Sequence, residues 1–436
     1  MGPDYKKPEV NIPQQWVNII NIQQEKSSDL PYLAWWKTYD NKTLNQLILK
    51  ALQANNDIQI SISNLETAKG QLEQVQLGWY PTISLQAGFS QMPNLGSPGT
   101  YLGIFPNYIL NLFTQYKKQE YAELNVEQAQ YAISAIKLSI ISEVTQSYFI
   151  YLAQEQLYQE YVQLEQDVDE ILGLTKVELN IGLDNELSLK PLKVQLQNIK
   201  SQKEIFQHNI IISANALRYL LNENPGKILH EQTFDDLEVT VVNYADFPAK
   251  VLQDRPDVAY AETQLKMANT AIGIATSSFL PSINLGDFAG YSSQQLGAWQ
   301  TPTKGFNLEQ ALVSINFDPT VFGEISTSEA KYKAQYYQYV KIIRKVLQEV
   351  DTSLSANLRY TNSYYHQLDG YKAQEKFYNL KIKLFELGLE SYVPEVLAKV
   401  ELSQQKILLT QSKLQQLLTV VTLYQNLGGG YLYADK

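Results

Sequence analysis

The chain has 436 residues, of which 44% are apolar and 18% charged, and it carries a formal net charge of −10. That length exceeds what one hydrophobic core organises, the apolar share excludes a disordered chain, and the acidic balance excludes nucleic acid or anionic headgroups as main partners. The absence of cysteine excludes disulfides, thiolate nucleophiles and Cys-ligated zinc, and no run of about 18 apolar residues offers a transmembrane helix, which leaves strands as the route into a bilayer.

Residues 1–39 read as an extended segment. Met1 stands directly before GPDYKKPEV with no basic and apolar leader, so a signal peptide is expected to be missing from this form. From Thr43 to Trp79 the pattern is helical, and Pro81 then switches the chain into a strand over 82–91. In that strand Ile83, Leu85, Ala87 and Phe89 face one way and Ser84, Gln86 and Gly88 the other. The loop QMPNLGSPGT leads to a second strand over 103–113. Residues 114–180 follow as a long helix, with Ala129, Ile133, Ile136, Ile140 and Val144 on one face; it would span roughly 100 Å. NIGLDNE interrupts it, with Gly182 suited to a left-handed cap and Asp184 or Asn185 to capping a returning helix over 187–221.

The same order then repeats. At an offset of 200, Asp57, Leu65, Ala68, Pro81, Ile83 and Leu85 match Asp257, Leu265, Ala268, Pro281, Ile283 and Leu285. Past the strands the offset becomes 206, and Glu143, Val144, Gly182 and Leu183 match Glu349, Val350, Gly388 and Leu389. The chain therefore reads as a tandem duplication with halves 40–240 and 241–430 and a tail over 431–436. The second half holds a helix over 249–279, strands over 282–291 and 310–318, a long helix over 322–387 and a returning helix over 392–427. In its last strand Val313, Ile315 and Phe317 oppose Ser314, Asn316 and Asp318. Each returning helix is about half as long as the long one, so the first helix of each half is expected to stack end to end on it.

Alternation of this kind fits two structures, a soluble sheet packed on a helix and a barrel strand with lipid outside and water inside. Four strands cannot close a barrel, and open edges are forbidden in lipid. Either the sheet is soluble or several chains share one barrel; a trimer would supply twelve strands.

GPDYKKPEV, WWKTYDNKTLNQLILKALQANNDI, RPDVAYAETQLKMANTAIGIATSSFLPSINL, the turns IGLDNELS and LGLESYVPEVL, and the terminal YQNLGGGY together resemble the TolC-like outer membrane efflux proteins, in particular the OprM and NodT type lipoproteins. The resemblance spans nearly the whole chain. It implies a mainly α fold with a small β part, in which a homotrimer forms a twelve-stranded β-barrel in outer membrane lipid, continuous with a periplasmic α-barrel of long coiled-coil helices. It further implies an exit duct that passes substrates on from an inner membrane pump through a periplasmic adaptor. The tip turns would meet that adaptor through Gly182, Leu183, Asp184, Glu186, Gly388, Leu389 and Glu390. Ile83, Leu85, Phe89, Ile283, Leu285, Val313, Ile315 and Phe317 would face lipid. In that branch a lipid-bearing cysteine shortly precedes GPDY; here Met1 takes a nearby place, so native lipidation is expected only by analogy. The family's aspartate ring after the second glycine is replaced by Pro394 and Leu397, so the expected constriction is apolar or glutamate-lined, from Pro394, Glu395 and Leu397. Pro191 and Pro394 are expected to bend the returning helices.

No catalytic residue, cofactor or metal is expected. His208, His230 and His366 have no ligand spacing, and HEQTF has Phe234 where a zinc helix needs its second histidine. Gly428–Gly430 follow a helix and read as its stop. The tyrosines, among them Tyr332, Tyr336, Tyr337, Tyr339, Tyr364 and Tyr365, fall on helical faces as intersubunit packing or bore lining; Tyr101, Phe105 and Tyr108 suit an aromatic girdle or loop packing. The acidic balance points to cation preference. The rival reading is a soluble coiled-coil scaffold or adaptor protein with a small sheet.

Overall fold

A computed structural model describes residues 2–17, 30–90, 99–183, 185–242, 248–293, 307–315 and 317–433. Each half contributes equivalent elements: α1 (Lys42–Ala54), α2 (Asn56–Leu77), β1 (Thr82–Ser90), β2 (Gly99–Leu110), α3 (Leu112–Asn180) and α4 (Glu186–Leu220), then α5 (Pro248–Asp254), α6 (Pro256–Ser277), β3 (Ser282–Ser293), β4 (Asn307–Ser314), α7 (Thr320–Glu386) and α8 (Tyr392–Asn426). The chain divides into two compact units that each draw on both halves: Met1–Asn11, Ser61–Ala132 and Asp257–Ile342 form one, and the remainder forms the other. No helix among the described residues is long and apolar enough to cross a membrane.

The single helix expected over 43–79 is two helices. Asn55 leaves helical geometry (φ −63°, ψ 131°), and its Oδ1 accepts from the N–H groups of Asp57 at 2.9 Å and Ile58 at 3.3 Å, starting α2 afresh. The helix expected over 249–279 breaks at the equivalent place, Arg255, because Pro256 excludes the preceding residue from helical backbone and itself suits the first helical position. The residues 30–39, expected to be extended, hold two short 3-10 helices.

In the first unit the four strands form one antiparallel sheet in the order β1-β2-β3-β4. β1 is described to Ser90, β3 runs on to Ser293 instead of 291, and β2 and β4 each start and end earlier than their patterns, the two ends for local reasons. β2 starts at Gly99, and it stops at Leu110 instead of 113 because Asn111 Oδ1 accepts from Phe113 N and Thr114 N and caps α3. β4 spans 307–314 instead of 310–318 because Asp318 Oδ1 accepts from Thr320 N at 2.9 Å and Oγ1 at 2.8 Å, turning the chain into α7. Asn316 lies outside the described residues. The amino-terminal segment lies along α6, with Lys7 paired to Glu262 at 2.6 Å and Asn269 donating to the Pro3 carbonyl at 2.7 Å.

The second unit has a coiled-coil core. Leu157, Leu164, Val168, Ile171 and Leu172 of α3 meet Leu189, Leu196, Ile199 and Phe206 of α4 and Val396, Val400 and Ile407 of α8. The steps of three, four and seven residues are those of heptad packing. At the far end of α8 the glycine run is more than a stop. Gly430 has φ +92°, and a Cβ there would meet the Trp36 ring at 2.6 Å, while Trp35 stacks on Tyr424 with centroids 4.9 Å apart. WW and GGGY thus form one packed cluster.

Candidate functional site

Both long helices end by the same device. Gly182 (φ +79°) follows α3 and Gly388 (φ +68°) follows α7. Gly182 N donates to Leu179 O at 3.1 Å and Leu183 N to Glu178 O at 2.9 Å; Gly388 N donates to Phe385 O and Leu389 N to Leu384 O, both at 2.9 Å. This paired closure requires a left-handed residue after the helix. A Cβ at either glycine would meet nothing within 4 Å, so backbone handedness alone selects glycine. Leu183 and Leu389, at 76% and 72% exposure, project into solvent beside them. Asp184 lies outside the described residues, and Asn185 caps α4 by accepting from Leu187 N at 2.8 Å. Glu186 pairs with Lys190 at 3.3 Å, and Glu390 pairs with Lys381 at 2.6 Å.

Of the residues expected at a constriction, Pro394 and Glu395 are half-buried and Leu397 is exposed. Pro394 sits in the first turn of α8, where its missing N–H has no helical partner to lose. Pro191 lies inside α4, which continues through it.

Sequence reasoning missed the polar network just beyond these positions. Asp167 of α3 has no exposed side-chain surface; it pairs with Lys399 of α8 at 3.0 Å and accepts from Ser403 Oγ at 2.6 Å. Lys399 also reaches Glu170 at 3.3 Å, and the Tyr392 hydroxyl donates to the same carboxylate. That bond from Tyr392 is the main reason Glu170 is held below the usual carboxylate range, and it raises the Tyr392 hydroxyl to about 12. Burial works against the charge on Lys399, but its bonds to Asp167 and Glu170 prevail and hold the ammonium above its ordinary value. The network clamps the start of α8 to α3. Its one sequence signal is spacing: Asp167 and Ser403 each stand seven residues from another polar pair, Glu160 and Thr410.

The sheet carries the other expected surface. In the register Ile83↔Pro106, Leu85↔Ile104, Tyr108↔Leu285, Leu110↔Ile283 and Ile283↔Val313, Ile83, Leu85, Phe89, Ile283, Leu285 and Val313 share one face. Ile83, Leu85 and Val313 are 72%, 74% and 68% exposed, while Ile283 is half-buried. Ser84, Gln86 and Asn284 lie on the other face, with Phe105, Ile109 and Leu312 as apolar exceptions. Ile315 and Phe317 lie beyond β4, and Phe317 packs near Phe279 and Phe322 with centroids 6.1 and 6.2 Å away. Phe105 and Tyr108, expected in an aromatic girdle or in loop packing, occupy opposite faces by strand parity, and the Tyr108 hydroxyl donates to Trp79 O at 3.1 Å. The side chain of Tyr101 is outside the described set.

A sheet whose β1 and β4 have no second strand partner among the described residues and which carries an exposed apolar face, in one chain with helix pairs closed by glycine turns, has counterparts among known proteins. Residues 47–223 and 247–429 match the outer membrane efflux protein family. The chain belongs to that family. It is 25% identical over 447 residues, 98% of this chain and 92% of the relative, to the probable efflux pump outer membrane protein TtgC of Pseudomonas putida. It is 26% identical over 463 residues, 99% and 95% of the two chains, to the cation efflux system protein CusC of Escherichia coli. Its fold matches the open state of the Neisseria gonorrhoeae MtrE outer membrane channel with a TM-score of 0.85 at 22% identity, over 99% and 98% of the chains. A structure of CusC matches with a TM-score of 0.82 at 21% identity, over 98% and 99%. The fold is that of the TolC-like channels, mostly helical with a small sheet. As a member of the family this chain is a Gram-negative outer membrane protein, and the family consists of efflux ducts.

Proposed function

We propose that three copies form the exit duct of a tripartite efflux pump, conducting substrates passively from a periplasmic adaptor and an inner membrane pump to the outside. The observation that carries this reading is the open-edged sheet with its exposed apolar face. Unpaired backbone groups cannot stand in lipid, so β1 and β4 must find partners, and equivalent edges on further copies supply them. Pooling three four-stranded sheets gives twelve strands, enough to close.

In the helical unit α3 pairs with α4 through Glu165 and Lys203, and α8 with α7 through Gln374 and Glu401. Exposed apolar residues then remain on α4 (Val194, Ile205, Ile212) and α7 (Leu358, Leu380). Each faces a neighbouring copy in this assembly. The glycine turns, with Leu183 and Leu389, meet the adaptor. The clamp of Tyr392, Lys399, Asp167 and Glu170 holds the duct shut, and opening parts α8 from α3.

Reconstitution in planar bilayers tests the proposal. Detergent-solubilised protein of three-chain mass that conducts when the clamp is removed by Tyr392→Phe with Lys399→Ala is expected. A protein that is monomeric and monodisperse in water without detergent overturns it. Reversal potentials in a salt gradient test the cation preference, and anion preference would remove that part alone.

A further inference from the structure

Two polar layers cross the α3–α8 contact one heptad apart, and they are not alike. In the layer nearer the Gly388 turn, Gln163 donates to Asp167 Oδ1 at 2.8 Å, Ser403 donates to Oδ2 at 2.6 Å, and Lys399 neutralises the carboxylate at 3.0 Å. One heptad along, Gln156 donates to Glu160 Oε1 at 3.1 Å and Thr410 donates to the same oxygen at 2.6 Å. The heptad equivalent of Lys399 is Lys406, yet Lys406 turns away to Asp235 Oδ2 at 3.2 Å. Asp235 belongs to the connection over 222–242, which Lys413 anchors by donating to the carbonyls of Phe234 at 2.9 Å and Asp235 at 3.0 Å. Glu160 is only 8% exposed, its Oε2 has no hydrogen-bond partner, and among the described residues no cation stands within ion-pair distance of it.

We infer that Glu160 is a proton switch deciding which carboxylate Lys406 holds. Protonated, it leaves Lys406 on Asp235 and keeps the connection docked on α8. Ionised, it draws Lys406 across, as Asp167 draws Lys399, and frees Asp235. The charged groups facing it are Lys406 from α8 and Asp235 from the connection; Tyr371 and Tyr364 of α7 flank Lys406, and burial keeps both hydroxyls neutral well above physiological pH. On its own helix, Glu155 is taken up by Tyr151 at 2.7 Å and His230 at 2.7 Å. Burial is what lifts the Glu160 carboxyl, to about 7, against the opposing bonds from Thr410 and Gln156 and the charge of Lys406. A carboxyl raised in this way adds stability in acid that is lost as pH climbs from the ordinary carboxylate range to about 7, and nothing changes above that.

Infrared difference titration of the detergent-solubilised full chain against Glu160→Gln reads the switch directly and does not depend on conduction. A protonated-carboxyl band that disappears with a midpoint near pH 7 is expected. Asp235→Asn, which releases Lys406, should lower that midpoint by at least one pH unit, and Lys406→Met should raise it. A band absent from wild type above pH 5.5, or a midpoint that Asp235→Asn leaves in place, overturns the inference. Conduction that fails while this titration succeeds would count against the duct alone.

Discussion

The two ends of the returning helices α4 and α8 are built from the same closure and held by different means. At their carboxyl ends, Asn222 (φ +56°) and Gly428 (φ +79°) repeat the left-handed geometry of Gly182 and Gly388. There, however, buried side chains staple the last carbonyls: Asn55 Nδ2 donates to Leu220 O at 2.9 Å, and Arg255 Nη1 donates to Asn426 O at 2.8 Å. The two acceptors are related by the 206-residue offset and the two donors by the 200-residue offset. Asn55 both staples α4 and caps α2, whereas α6 starts at Pro256 and Arg255 reaches Glu349 of α7 at 3.4 Å as well. At the amino-terminal ends, a Cβ at Gly182 or Gly388 would meet nothing within 4 Å. One end is anchored by buried polar groups; the other is restrained by a clamp in which half-buried Glu170, Tyr392 and Lys399 surround one buried carboxylate, Asp167.

Substitutions at four positions break or sharpen this contrast. Arg255→Ala strikes the anchored end hardest. It removes the buried donor to Asn426 O and one of the two cations on Glu349, which keeps Lys345 at 3.3 Å, and chemical unfolding should show a loss of about 3 kcal/mol, with Arg255→Lys recovering less than half because it cannot keep both bonds. Gly430→Ala should cost about 2 to 3 kcal/mol in the same assay, since a left-handed backbone and the Trp36 ring both oppose the new methyl. Gly388→Ala meets the backbone penalty with open space around it, and about 1 kcal/mol is expected. If the two glycine variants proved equal, packing would not be what separates the ends. Tyr392→Phe should be smallest in stability, about 1 kcal/mol or less, yet largest in open probability in a bilayer. It should also flatten the response to acid: Glu170 lies below its ordinary range, so the clamp it forms with Tyr392 holds at neutral pH and loosens as pH falls through the Glu170 value.

What the sequence disclosed followed from how local each signal is. Pro81 and Pro281 mark the strand switches, and Gly182 and Gly388 the turns, because each constrains its own backbone. The breaks at Asn55 and Arg255 were hidden: the apolar period runs through both, and only the proline at 256 hinted at one of them. The clamp was illegible for a different reason. Asp167 meets Ser403 across 236 residues and Glu170 meets Tyr392 across 222, and the register of α3 on α8 that joins them is set by the leucine and valine seam, not by the polar residues themselves. The positions behind the second glycine lie on α8, whereas the carboxylates of the clamp, Asp167 and Glu170, stand on α3.

The empty space around Gly182 and Gly388 has a stereochemical consequence. A D-alanine placed at either position by peptide ligation would enter its preferred region of backbone space, strike no neighbour, and narrow the freedom of the unfolded chain. The mirror-image residue should therefore strengthen both turns where its natural twin weakens them.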